Sequence, residues 1–265
     1  MIIVVLAVVG LSLGSFINAL VWRIHEHKNW VSGRSECVYC HHRLSVGDLI
    51  PVFSWLILRG KCRYCHKKIS LQYPVVELMT PLVFVALYLF WPTGLSSAMQ
   101  WSVFIGWLLA VVGLLALAVY DLRWMILPNG IVLYLLVLAV GLTAIAFIGN
   151  GFDWYGLLDA AVGALIGGGL FYGLFQVSKG KWIGGGDVKL GFVLGLFAGS
   201  AQRSFLLIFL AALIGCVISV PFLLFGKLTK KSIIPFGPFL IVSIVIVQLA
   251  GTAILGWYGR TFLGL

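Results

Sequence analysis

Charge is scarce in this sequence. Of its 265 residues only 10% are charged, against roughly 25% in an ordinary soluble domain. Only eight residues are acidic. So few charges cannot clothe a water-facing surface, which excludes a soluble globular domain. Polar stretches are equally few, and residues 23–72 form the one sizeable polar segment. Cysteine is limited to five residues, far short of a disulfide-dense secreted scaffold.

What fills the space is hydrophobic, 62% of the chain, in long runs at residues 1–22, 75–91, 101–120, 131–148, 155–177, 204–226 and 236–257. A helix needs about 20 apolar residues to cross the hydrocarbon core, and these runs are of that order. An eighth run, 190–202, is shorter. Spans of this kind are helical, because an open sheet edge would strand backbone groups in lipid. The expected fold is an all-α polytopic membrane protein of about eight transmembrane helices. It divides into a first span at 1–22, a cytoplasmic loop subdomain at 23–72 and a polytopic membrane domain at 73–265. The first run lacks a basic start and its positive charges follow it, so it reads as a retained span and not as a signal peptide.

The net charge of +10 is mainly a matter of orientation. With eight spans and the amino terminus outside, the nine basic residues of the 23–72 loop fall on the inner face. Arg123, Lys179, Lys181, Lys189, Lys227, Lys230 and Lys231 join them, and only Arg203 and Arg260 fall outside. That split follows the positive-inside rule and makes the loop cytoplasmic. The basic residues track the membrane edge without a recognition motif of their own, so membrane lipid is the expected partner and nucleic acid is not.

The loop carries two Cys-x-x-Cys pairs, Cys37 with Cys40 and Cys62 with Cys65, separated by twenty-one residues. Two chelating pairs of thiolates suit tetrahedral zinc, and four sulfurs leave no open position for water, so the site reads as structural. Disulfides are the competing reading, disfavoured on the reducing side of the membrane. Neighbouring His41, His42 and His66 are alternative ligands or ordinary exposed loop histidines. Cys216 stands alone in a span as a small hydrophobe.

The eight acids sort by position. Glu26, Glu36 and Asp48 belong to the polar loop, and Asp153 and Asp159 suit a helix start, where carboxylates meet the positive end of the dipole. Asp121 and Asp187 both abut apolar spans at the cytoplasmic edge, on different helices. Two such carboxylates brought close cannot both ionise cheaply, and one keeps its proton while the other stays charged. That is the acid and base pair of an aspartic protease: one member takes a proton from the attacking water, the other hydrogen-bonds the peptide carbonyl. Gly184, Gly185 and Gly186, immediately before Asp187, would let the backbone of an extended substrate lie against the enzyme. Pro128 disfavours helix at Leu127 and so breaks the chain soon after Asp121. The alternative is that both acids are interfacial caps or partners of Arg123 and Lys189.

Several stretches together resemble one family. They are "GSFINALVWR" in the first span, the two cysteine pairs, "LIPVFSWLILRGKCRYCHKKISLQYPVVEL", "DLRWMILPN", "GGGDVKL" and "IPFGPFL". The chain is similar over nearly its full length to the type IV prepilin peptidases, intramembrane aspartyl proteases with a Gly-x-Gly-Asp motif. Here that motif is Gly184, Gly186 and Asp187, and the family's first catalytic aspartate matches Asp121. The resemblance implies an enzyme of the bacterial inner membrane that removes a short basic leader from type IV prepilins or type II secretion pseudopilins at the cytoplasmic face. Many members also methylate the new amino terminus with S-adenosylmethionine. The polar loop has no glycine-rich strand–turn–helix unit, so a standard soluble methyltransferase domain is excluded, and the zinc loop is the segment expected to serve methylation or substrate docking. Glu77, at the cytoplasmic end of the second span, is a candidate to hold leader lysines, with a structural hydrogen-bonding role as the alternative. A peptidase without methyltransferase activity is the runner-up. A transporter or a noncatalytic scaffold explains less, since a transporter places its acids near the midplane and a scaffold needs no paired acids.

Overall fold

Whether long apolar runs become membrane helices depends on packing as well as length, because lipid offers no hydrophobic drive between helices and close approach must supply the attraction. The computed structural model describes residues 1–29, 33–225 and 234–264. Lys227, Lys230 and Lys231 of the inner-face charge set lie outside the described residues. The chain forms two compact units, Met1–Leu89 and Phe90–Leu265. Apart from isolated bridges and short turns, the described secondary structure is helical.

The first unit contains α1 (Ile2–His25), a 3-10 turn at Val46–Leu49, the short α2 (Phe53–Ile57) and α3 (Gln72–Leu89). Helices α1 and α3 pack through glycines one turn apart. A Cβ on Gly10 would lie 2.5 Å from Pro81 Cα, and one on Gly14 2.7 Å from Glu77 Cα. A turn further along, buried Asn18 donates from Nδ2 to the Tyr73 carbonyl (3.1 Å), and its Oδ1 accepts from Gln72 Nε2 (3.1 Å). The pair is thus closed by backbone contact and finished by a satisfied polar cluster, the arrangement expected where no water competes.

The second unit contains α4 (Ala98–Trp124), α5 (Asn129–Gly149), α6 (Trp154–Ser178), α7 (Gly185–Ala198), α8 (Ala201–Leu224) and α9 (Gly237–Tyr258), ending in a π turn at Gly259–Leu263. Among the described residues seven helices, α1, α3, α4, α5, α6, α8 and α9, are long and apolar enough to cross a membrane. This is a multi-pass membrane protein. The fourteen-residue α7 spans about 21 Å, short of the roughly 30 Å hydrocarbon core. It packs against α5, α6, α8 and α9, with Leu190 and Leu194 fully buried.

The short eighth run therefore exists as a helix but sits earlier than 190–202. Gly199, with φ +72°, ends it, and the Ser200 hydroxyl accepts the Arg203 N–H to start α8. The apolar window ran across this junction because glycine, serine and alanine scarcely interrupt it. Met125, in the left-handed region at φ 53°, ends α4 three residues before Pro128, which serves as the N-cap of α5.

Small residues hold α7 in place. A Cβ on Gly191 would come 2.5 Å from the Gly167 carbonyl oxygen, and one on Gly167 would come 2.5 Å from that of Gly191. The glycine-rich stretch 163–169 thus packs within the chain. Gly169 is different, since nothing lies within 4 Å of its would-be Cβ. Gly191→Ala is expected to destabilise the protein by about 1–3 kcal/mol, the usual range for overpacking. Gly169→Ala should be neutral or slightly stabilising, because alanine favours helix over glycine. Thermal unfolding in detergent of the two variants side by side checks the contrast.

Candidate active site and metal centre

A carboxylate in an apolar helix must find donors or stay exposed. Asp121, in the last turn of α4, is buried at 5% exposure, and its Oδ2 accepts the backbone N–H of Gly237 at 3.1 Å. That N–H is free to donate because Gly237 opens α9, and the first N–H groups of a helix have no partner within it. Pro238 behind it holds the helix entry. A Cβ on Gly237 would lie 2.6 Å from Asp121 Oδ2, so only glycine lets the backbone come this close.

Asp187 stands in the first turn of α7, whose N-cap is Gly184. Its carboxylate lies against the Gly184 backbone, with Oδ2 3.7 Å from where a Gly184 Cβ would stand, and near enough to Asp121 for the two charges to interact. Helix α9 packs against both α4 and α7 and so ties the two acids to one end of the second unit. Of the three glycines, Gly184 and Gly185 are exposed and leave their backbone open, while Gly186 is packed, its would-be Cβ 3.1 Å from Leu127 Cδ1. Lys189 does not neutralise either acid: its Nζ donates to Asn129 Oδ1 at 2.9 Å. The Arg123 guanidinium lies over the Trp124 ring. Among the described residues, neither aspartate belongs to an ion pair.

Asp153 and Asp159 have ordinary helix-start duties. Asp153 Oδ1 accepts from the Tyr155 N–H, and Asp159 Oδ1 accepts from the Ala201 N–H at the start of α8. Glu77 belongs to the first unit. Buried in α3, it accepts the Val52 N–H at 2.7 Å. Val52 is β-branched with φ 64°, a conformation costing about 1–3 kcal/mol unless its surroundings hold it, and the Glu77 bond is one such hold.

The four loop cysteines converge, with all four sulfurs within 4.8 Å of one another and Cys37 Sγ 3.9 Å from Cys65 Sγ. Each pair sits in the same local fold. Cys37 N–H donates to the His42 carbonyl and Cys62 N–H to the Lys67 carbonyl, with bridges pairing Glu36 with Arg43 and Lys61 with Lys68. His41 and His66 both adopt φ 54°, so 36–43 and 61–68 are two copies of one knuckle. The histidines stay out of the sulfur cluster: His42 stacks on Tyr64 and bonds the Arg43 carbonyl, while His41 faces Glu36. Asp48 ties the second knuckle to the 3-10 turn through Arg63 at 2.7 Å. Burial pushes the Asp48 carboxyl up, but the Arg63 and Ser45 hydrogen bonds outweigh it and hold it below the usual range.

The sulfurs fit a cation. Burial opposes ionising Cys37, yet the N–H groups of Cys40 and Tyr39 bring its thiol down to about 7. At Cys65 the Lys67 N–H works in the same direction, but burial and the three neighbouring sulfurs push it up to about 11. Four thiolates at one point need a positive charge between them. Zn–S bonds of about 2.3 Å in a tetrahedron give S–S edges of about 3.8 Å, close to the 3.9 Å between Cys37 and Cys65.

An all-helical multi-pass membrane protein with a four-cysteine cluster in one unit and two juxtaposed carboxylates in the other is the class that fold and site define. Residues 8–91 match the family model of the bacterial peptidase A24 N-terminal domain, and residues 108–220 match that of the type IV leader peptidase family. The chain is 33% identical over 265 residues to the prepilin leader peptidase/N-methyltransferase of Bacillus subtilis (strain 168), covering 98% of this chain and 99% of that one. It is 36% identical over 293 residues to the protein of the same name from Aeromonas hydrophila, covering 96% and 92%. The corresponding Pseudomonas aeruginosa protein is 31% identical over 277 residues, covering 94% and 90%. No solved structure matches. The chain belongs to the type IV leader peptidase family, a family of membrane aspartic peptidases, as the sequence motifs implied. The four loop cysteines fall in the first matched segment and Asp121 and Asp187 in the second, while Gly237 lies outside both.

In the sequence "IPFGPFL" carries part of the resemblance but does not single out Gly237. A glycine ahead of a proline at a helix start was the available signal, but a backbone donor leaves no side chain to read.

Proposed function

We propose that this chain removes the leader of type IV prepilins or pseudopilins at the inner face of the bacterial inner membrane, and then N-methylates the product. The observation that carries the peptidase reading is the meeting of Asp121 and Asp187 from separate helices, without a cationic partner. Gly237 holds one oxygen of Asp121 and so orients the carboxylate. The charged member of the pair takes a proton from a water that attacks the scissile carbonyl. The protonated member donates to the carbonyl oxygen, and no covalent intermediate forms. The exposed backbone of Gly184 and Gly185 is the surface along which the substrate strand lies. Such substrates are membrane helices with a basic leader, and acids at the helix ends meet the scissile bond without extracting the helix.

The cysteines Cys37, Cys40, Cys62 and Cys65 would hold zinc as a closed structural clip. S-adenosylmethionine supplies the methyl group when bound. In this reading the clip shapes the loop at 23–72 for methylation or substrate docking, while Glu77 acts as a structural tie. The basic residues of that loop support the orientation with the amino terminus outside.

Mass spectrometry of a precursor pilin incubated with the enzyme and S-adenosylmethionine tests the reading. The expected product has lost its leader and gained one methyl group. A product lacking the methyl would reduce the activity to peptidase alone, and an uncut precursor would refute the proposal. Gly237→Ala should slow leader removal about a hundredfold, the effect of misplacing a catalytic group by about 1 Å. A cleavage rate equal to wild type would show that the Gly237 contact does not position Asp121.

A further inference from the structure

A second polar site lies at the opposite end of the second unit. There an open cavity of about 520 Å³ is lined by α4, α5, α6, the end of α7, the start of α8 and α9. Phe197, in its wall, is ten residues beyond Asp187 on α7, and Trp107 is fourteen residues before Asp121 on α4. At 1.5 Å per residue the cavity is about 15–21 Å from the aspartates along those helices. It takes no part in their chemistry.

Its walls are amphipathic. Trp107 and Phe197 lie 5.2 Å apart between ring centroids, and polar groups come from α8 and α9 as well as from the α5–α6 side, where Thr143, Asn150 and Asp153 stand. The Arg203 guanidinium donates from Nη2 to Thr252 Oγ1 at 3.0 Å and has no carboxylate within ion-pair distance among the described residues. Gln248, one turn before Thr252, is only 8% exposed and lines the same space, and Trp91 in its wall carries an indole Nε1–H that is buried with no hydrogen-bond partner among the described residues. Asp153 also lines the cavity, but its carboxylate caps α6. An arginine at the end of a membrane bundle, held by a hydroxyl and left without an anion, marks a functional site by default. A buried indole N–H with an unmet hydrogen bond in the wall of the same space is the second sign of a missing polar ligand.

We propose that this cavity binds one phospholipid, with its phosphodiester on Arg203 and Gln248 and its glycerol and upper acyl chains against the aromatic wall. A guanidinium suits phosphate by charge and by its fork of donors, and apolar walls at the edge of the spans suit a lipid better than a free anion.

Native mass spectrometry and thermal unfolding of the delipidated full-length protein test this. The probes are phosphatidylethanolamine, phosphatidylglycerol, diacylglycerol and inorganic phosphate. Wild type is expected to retain one phospholipid of either kind and to melt at a higher temperature with it, while diacylglycerol and inorganic phosphate do neither. Arg203→Gln and Gln248→Leu should each weaken retention at least tenfold while still cleaving prepilin, which shows that they fold. If Arg203→Gln fails to fold, Gln248→Leu and Thr252→Val carry the comparison. Equal retention by the folded variants, or equal stabilisation by diacylglycerol or inorganic phosphate, would overturn the proposal.

Discussion

Asp187→Asn is expected to leave a folded protein that cuts prepilin slower by about 10⁴, the upper range for removing a positioned acid or base. Asparagine keeps the shape and favours a helix start as aspartate does, so the start of α7 survives. What it loses is the capacity to hold and release a proton beside Asp121. The competing reading, in which Asp187 is only a helix-start acid favoured by the dipole, predicts a loss of about 0.3–1 kcal/mol in stability and no loss of cleavage. Leader-cleavage rates and melting temperature measured on one preparation separate the two. The absence of Lys189 and Arg123 from the pair already weighs against a structural ion pair.

The second large effect is expected at the cysteines. Structural zinc in small metal-held folds contributes about 10–16 kcal/mol of apparent binding energy at neutral pH. The loop between α1 and α3 otherwise has only one short turn, α2 and two isolated bridges among its described residues. Cys62→Ser combined with Cys37→Ser removes one sulfur from each knuckle. Zinc content should fall from one per chain to less than about a tenth, and the methylated product should fall at least tenfold. The membrane domain has its own glycine-packed helices and should persist, with leader removal less affected than methylation. Elemental analysis and product mass, read together, check this. Full methylation by a metal-free variant at normal protein level would contradict the role given to the clip.

The parts of this site that were legible in the sequence share one property: their chemistry resides in side chains of rare type. Eight acids in an apolar chain made Asp121 and Asp187 conspicuous, and the two Cys-x-x-Cys pairs announced a cluster of four sulfurs by spacing alone. Gly237 was not legible because its contribution is a backbone N–H and a missing Cβ. Glu77 admitted two readings because its partner, the N–H of Val52, is twenty-five residues away and is brought to it by folding. The start of α7 was missed by five residues for a related reason: hydrophobicity marks where lipid-like residues are, whereas Gly184 and Gly199 mark where the helix begins and ends. The two knuckles at 36–43 and 61–68 form a repeat visible in the sequence once their matching backbone bonds are known.

The paired action of the two aspartates is most directly tested by leader-cleavage rates of four proteins: wild type, Asp121→Asn, Asp187→Asn and the double variant. Residues that work as one unit are strongly non-additive. The expected result is that each single variant is as slow as the double. A single variant retaining more than about 1% of the wild-type rate, or a double variant whose loss is the product of the two single losses, would contradict it, since independent groups add in free energy.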